Sequence, residues 1–179
     1  MIIFMGVAGS GKSVQGKMLA DALALPWLST GEFLRMLIAG ERRKDMLAGK
    51  LLKDEEIIGL VQKIFSMVDT DHEFILDGFP RTESQTDWLL NQLKHRQLHV
   101  TAVIQLVASE KTVSERLLGR GRQDDNEAAI AQRFREYHDA TKPILDQFRH
   151  AGVPVIDVDG EKPVETIHED IKQALKTVG

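Results

Sequence analysis

Residues 6–13 read Gly-Val-Ala-Gly-Ser-Gly-Lys-Ser, the G-x-x-x-x-G-K-[ST] spacing of a phosphate-binding loop. Glycines let backbone N–H groups turn toward phosphate oxygens with no Cβ in the way, and the start of the following helix adds its positive dipole end. Lys12 is placed to contact β- and γ-phosphates, and the Ser13 hydroxyl to reach Mg²⁺. Gly9, Ser10, Gly11 and Val14 belong to the same loop and helix start. A Gly-rich turn with a chance lysine is the plain alternative; the full motif, set between an apolar run and a helical pattern, points to a nucleoside triphosphate. Downstream, Arg116, Arg120, Arg122 and Arg133 crowd around one loop of a chain with 23 Lys and Arg against 27 Asp and Glu, a net charge of −4. Arg116 and Arg120 are four apart on a helix and share a face. Either this is a solvated basic face paired with Asp124 and Asp125, or the guanidinium groups stabilise the charge that phosphoryl transfer spreads over equatorial oxygens.

These groups need a frame. Nearly continuous apolar runs at 2–5, 26–28, 74–76, 102–107 and 153–158 read as strands buried on both faces. Helical patterns span 13–24, 54–68, 82–95, 109–118, 126–148 and 163–176, with Asp54 as an N-cap and Pro143 kinking or splitting the fifth. The alternation predicts one α/β domain over residues 1–179, a three-layer arrangement of a five-stranded parallel sheet with helices on both faces. Two charged, Gly-punctuated stretches, 39–53 and 119–126, interrupt the rhythm as surface segments, where function concentrates.

The sequence has no cysteine, which excludes a disulfide framework, a thiolate nucleophile and Cys-ligated zinc. His95 and His99 have metal-like spacing, but with no third ligand nearby and a strand starting by Val100, no zinc site is expected. The acidic balance argues against general nucleic-acid binding. No stretch is long enough to span a membrane and no signal-peptide pattern opens the chain, so a cytoplasmic protein is expected; a monomer is expected separately.

Two junctions follow the second and third strands, Leu28-Ser29-Thr30-Gly31-Glu32-Phe33-Leu34-Arg35 and Leu76-Asp77-Gly78-Phe79-Pro80-Arg81-Thr82. Both lie where carboxyl ends of parallel strands face a ligand crevice. Further blocks are Gly49-Lys50-Leu51-Leu52, Arg116-Leu117-Leu118-Gly119-Arg120, Gly121-Arg122-Gln123-Asp124-Asp125, the set Arg133, Tyr137, Thr141 and Pro143, and Val158-Asp159-Gly160. In order and over nearly the whole chain, these resemble the adenylate kinases of the nucleoside monophosphate kinase family.

The resemblance implies a P-loop kinase fold and reversible, Mg²⁺-dependent transfer from ATP to AMP giving two ADP. No general base is needed, since the AMP phosphate oxygen is already a charged nucleophile. It further implies that Arg116 stacks on the ATP base and Arg120 contacts ATP phosphates, with Gly160 and Lys162 on that side. Arg35 and Arg81 bind the AMP phosphate, while Thr30, the Leu52 backbone and Gln85 surround its adenine, and Lys50, Gly78 and Phe79 also belong to the AMP site. Arg122 and Arg133 engage the transferring phosphoryl and the AMP phosphate, so Lys12, Arg81, Arg120, Arg122 and Arg133 form the catalytic set. Asp77 holds water ligands of Mg²⁺, and Asp124 and Asp125 hold the neighbouring arginines.

The residue chemistry agrees. Arg35 and Arg81 are planar forks suited to a phosphate dianion, and Gln85 can offer a donor and an acceptor to one base edge. Plainer roles stay open: Thr82-x-x-Gln85 and Ser29-x-x-Glu32 are capping boxes, Asp77 could cap a turn, and Asp124 or Asp125 could cap the helix near Asn126. Cytidylate/uridylate kinases usually carry Ala and Asn at the positions of Thr30 and Gln85, so AMP is favoured over CMP or UMP. A non-nucleotide acceptor, or a silent nucleotide-binding module, are the other rivals. The main departure from the family is the lid, about 119–125, with Gly121 alone between Arg120 and Arg122; the acceptor segment, about 30–59, is also short. Closure excludes water from the transferring phosphoryl, so a measurable but minor ATPase without AMP is expected.

Overall fold

Ile2, Ile3, Phe4 and Met5 are all buried because β1 (Ile2–Met5) is the central strand of a sheet covered on both sides. In this computed structural model, which describes all residues except 49, 96, 97, 124 and 179, five parallel strands lie in the order β2-β3-β1-β4-β5. In chain order the elements are β1, α1 (Lys12–Leu23), β2 (Trp27–Ser29), α2 (Thr30–Leu37), α3 (Gly40–Leu47), α4 (Asp54–Phe65) and β3 (Ile75–Asp77), followed by α5 (Glu83–Lys94), β4 (Ala102–Val107), α6 (Glu110–Arg120) and α7 (Glu127–Glu136). A π turn (Tyr137–Thr141), α8 (Ile144–His150), β5 (Val155–Asp159) and α9 (Val164–Leu175) complete them. The expected three-layer α/β architecture is what forms.

Side chains of β1 alternate between two cores, as a period-two strand requires. Ile3 and Met5 join Val61, Leu76, Leu89 and Phe148 on one face; Ile2 and Phe4 join Leu19, Ile104 and Ile171 on the other. A third, smaller cluster, Val7, Val113, Leu117, Ile130 and Phe134, packs α6 and α7 beneath the phosphate loop.

Three strands sit one or two residues further along than the apolar runs suggested. Ladder pairing rather than hydropathy sets their ends, and it carries Ser29 opposite Asp77 and Val107 opposite Asp159. Within the 39–53 segment, Gly40–Leu47 is helical with no buried residue, so the burial pattern that announces most helices is missing. Asp54 is not an N-cap: Lys53 precedes α4 in that position without a side-chain bond, and the Asp54 carboxylate is spent across on α5. Asn126, rather than Asp125, caps α7, accepting from the Ala129 N–H at 3.0 Å. The long helix does split at Pro143. A proline there has no N–H to give back, and the turn before it widens, with the Lys142 N–H reaching Tyr137 O at 2.7 Å.

Candidate active site

The turn after β1 can only be made by glycine at its start. Gly6 has φ +137°, and a Cβ there would stand 2.5 Å from the Leu106 carbonyl oxygen. Gly11 precedes α1 without a side-chain cap, which leaves the first N–H groups of that helix to face a ligand. The Lys12 ammonium folds back over the loop, donating to Gly6 O at 2.7 Å and Val7 O at 2.8 Å. Burial pulls its pKa down to about 8; Asp77 opposes this, and Arg81, Arg120 and Arg133 reinforce it. A lysine held this way among cations gains from an arriving polyphosphate.

Beside the loop, Ser13 Oγ donates to Asp77 Oδ2 at 2.6 Å and Ser29 Oγ to the same oxygen at 3.3 Å. Ser29 therefore serves the Asp77 carboxylate rather than α2, whose capping box does not form. A buried carboxylate and a hydroxyl at the phosphate loop are hard oxygen donors that suit a Mg²⁺ ion keeping several waters and bound chiefly by phosphates. Among the described residues no group of three or more His, Cys, Asp or Glu could form an all-protein metal cage. His95 ends α5, so it shares no helical turn with His99.

The arginines are assembled around two carboxylates. Asp125, whose side chain is fully buried, takes Arg120 in a two-pronged grip (Nε 2.8 Å, Nη2 2.7 Å), Arg133 Nη1 at 3.2 Å and the Arg122 N–H at 3.2 Å. Burial alone would raise its pKa, but these donors outweigh burial and hold it below the ordinary aspartate value. Glu32 takes Arg35 Nη2 at 2.7 Å and Arg122 Nη2 at 3.4 Å, a bond to Arg35 that lowers the Glu32 pKa. Arg116 donates to Gly160 O at 2.7 Å. Arg81 is fixed three times: Nε to Gly78 O at 2.9 Å, its N–H to Gln85 Oε1 at 2.9 Å, and its carbonyl from Thr141 Oγ1 at 2.9 Å.

All these elements open on one cleft of about 380 Å³. Lining it are Gly9, Ser10, Gly11, Lys12, Ser13 and Val14 on one side, Arg116, Arg120, Arg122 and Arg133 on another, and Arg35, Lys50, Asp77, Gly78 and Arg81 on a third. Six expected contacts stand back from it. Thr30 is buried and donates to Asp77 O at 3.3 Å; Phe79 lies in the core, edge-on to Trp88; Leu52 packs against that core. Gly160 does not line the cleft but lies behind it, accepting from Arg116 and set so close to the phosphate loop that a Cβ there would stand 2.9 Å from Ser10 O, and Lys162 is exposed, paired with Asp170 at 2.8 Å. Gln85 is 2 % exposed, with its amide between Arg81 and Asp54. The Thr82 capping bond to the Gln85 N–H does form, at 3.3 Å, but the reciprocal reach of the box goes to Arg81 instead.

Sequence reasoning passed over Leu34, Met46, Val164 and Ile167, which give the cleft its apolar walls. It also gave no role to Thr141, and read Glu32 only as a capping residue although Glu32 and Arg35 have the i,i+3 spacing of a helical ion pair. Asp124 lies outside the described residues.

Comparison with known proteins gives a consistent result. The family model described as adenylate kinase matches residues 4–153. The chain is 37% identical over 180 residues to an adenylate kinase of Corynebacterium urealyticum, covering 97% of this chain and 98% of that one. It is 37% identical over 184 residues to adenylate kinase 1 of a Synechocystis strain, covering 98% and 96%. Identity to an adenylate kinase of Archaeoglobus fulgidus is 31% over 214 aligned positions, covering 99% and 98%. That alignment is longer than the 179 residues here, so the archaeal relative carries segments this chain lacks.

Proposed function

The chain belongs to the adenylate kinase family, and from that premise we propose how its residues divide the work of moving a phosphoryl group from ATP to AMP. The reaction is reversible and yields two ADP. The α1 N-terminus and Lys12 receive the ATP phosphates, and Arg116 covers the base. Arg35, Lys50 and Arg81 take the AMP phosphate, and Arg120, Arg122 and Arg133 stabilise the charge on the group in flight. The nucleophile is a phosphate oxygen already ionised, so no side chain has to remove a proton. Ser13 directly, and Asp77 through water ligands, would hold a Mg²⁺ ion, which when bound would draw charge from the phosphate oxygens. Thr30, the Leu52 backbone and Gln85 read the adenine once α2 and α3 settle on AMP, and Gly160 and Lys162 border the ATP base. We read the enzyme as a cytoplasmic monomer without a nucleic-acid or membrane partner; no helix among the described residues is long and apolar enough to cross a membrane.

One observation carries this division: in an acidic chain, Lys12, Arg81, Arg120 and Arg133 are close enough to repel one another across a single cleft. Cations gathered from several elements around one cleft suit a polyanion long enough to reach all of them. A ligand joining two adenosines through five phosphates should therefore bind far more tightly than ATP. Titration calorimetry showing no advantage over ATP would remove the two-site reading. In a coupled assay, AMP should support ADP formation well above CMP, UMP or GMP, and hydrolysis without AMP should be slower than transfer; hydrolysis faster than transfer would overturn the transferase assignment.

A further inference from the structure

An amide side chain can read a base only if it knows which way round it stands, and around Gln85 two neighbours decide this. The Arg81 backbone N–H can only donate, and it meets Oε1 at 2.9 Å. The Asp54 carboxylate can only accept, and it meets Nε2 at 2.8 Å. The same Asp54 oxygen accepts from Thr82 Oγ1 at 2.9 Å, and Thr82 Oγ1 accepts from the Gln85 N–H at 3.3 Å, which closes a ring. Rotating the amide by 180° would set N–H against N–H and oxygen against carboxylate inside a buried site, losing both bonds. Those bonds use one N–H and one lone pair; a primary amide has a second of each.

We propose that Asp54 is a specificity-determining positioning residue: by clamping the Gln85 amide in one polarity it makes the acceptor site accept a 6-amino purine and refuse a 6-oxo purine. The inference rests on the reading that Gln85 meets the base. Adenine offers a donor at its amino group beside an acceptor at N1. Hypoxanthine and guanine reverse both, with an acceptor at O6 and a donor at N1. A fixed amide matches one pattern only, whereas a rotating amide matches either. Asp54 stands on α4, a different element from Gln85, so the polarity is imposed from across the acceptor segment.

The test is kcat/KM for AMP and for inosine monophosphate, which differs from AMP only along this edge, at saturating ATP. In Asp54→Asn and Asp54→Ser the new side chain can donate or accept. Because the Arg81 N–H still favours the wild-type polarity, the AMP preference should fall in part, by up to on the order of tenfold, with the inosine monophosphate value rising in absolute terms; Asp54→Glu should retain the preference. Equal losses for both acceptors would mean that Asp54 serves only the fold, and would overturn the clamp. Gln85→Leu separates the two readings. If it leaves KM for AMP unmoved, Gln85 does not meet the base. If it raises KM while the Asp54 variants keep the wild-type ratio, the clamp alone is wrong. Should those variants unfold, the wild-type protein decides: one Gln85 side-chain amide proton should resonate well downfield from its carboxylate bond, and ordinary positions for both would refute the clamp.

Discussion

The phosphate loop and the arginine cluster handle the same kind of anion by opposite means. The loop uses backbone N–H groups and one lysine, and that lysine is hydrogen-bonded to the loop's own carbonyls, Gly6 O and Val7 O. Arg120, Arg122 and Arg133 come from α6, α7 and the connection between them, and two carboxylates, Asp125 and Glu32, hold them in place. A cradle made of main chain is set once the chain turns. A cradle made of long side chains has to be organised by countercharges, and those countercharges compete with the substrate. Asp125 is buried and Glu32 is half-exposed, so the two countercharges should behave differently.

The contrast breaks first at Arg120. Arg120→Ala removes a cation with no backbone substitute, and kcat should drop roughly 10³–10⁵-fold, read in the coupled assay with both substrates saturating; a drop below tenfold would mean that the loop alone carries the charge. Next is the buried countercharge. Asp125→Ala leaves Arg120 and Arg133 without their shared acceptor, and urea unfolding should show about 3 kcal/mol less stability. A third measurement sharpens the loop side. Lys12 begins near 8 and phosphate raises its pKa, so ATP binding takes up a proton above that pH. Affinity should be level below pH 8 and weaken by up to about tenfold per unit above it; calorimetry giving a constant Kd to pH 9.5 contradicts the burial of Lys12. The smallest effect belongs to Glu32. Its pair with Arg35 is partly exposed and worth at most about 1 kcal/mol, so Glu32→Gln should lower KM for AMP a few-fold by removing a rival for Arg35 and Arg122, and a raised KM would show that Glu32 aids the substrate instead.

How much of this could be read from residue order follows the same division. The phosphate loop is contiguous, its residue types are forced by the turn at Gly6 and the helix behind it, and it stands where the motif said. The parallel sheet was equally plain, because strands buried on both faces leave unbroken apolar runs. What depends on pairing across the chain was not. Ser29 reads as a cap until the register sets it against Asp77, and Asp54 reads as a cap until α5 arrives with Thr82 and Gln85. The helix Gly40–Leu47 buries nothing, so no apolar stripe announces it. Arg116 and Arg120 were legible as a pair from their helical spacing, but the acceptor of Arg116, the Gly160 carbonyl, lies 44 residues away.

The π turn at Tyr137–Thr141 amounts to one extra residue threaded into a helix, and Thr141 ends it with its hydroxyl on the Arg81 carbonyl. Excising a residue there would give a more regular helix and, at about 100° per residue, swing that hydroxyl off its target. The spacing between Arg133 and Thr141 is thereby a length constraint on the gene: the segment can exchange letters more readily than it can gain or lose a codon.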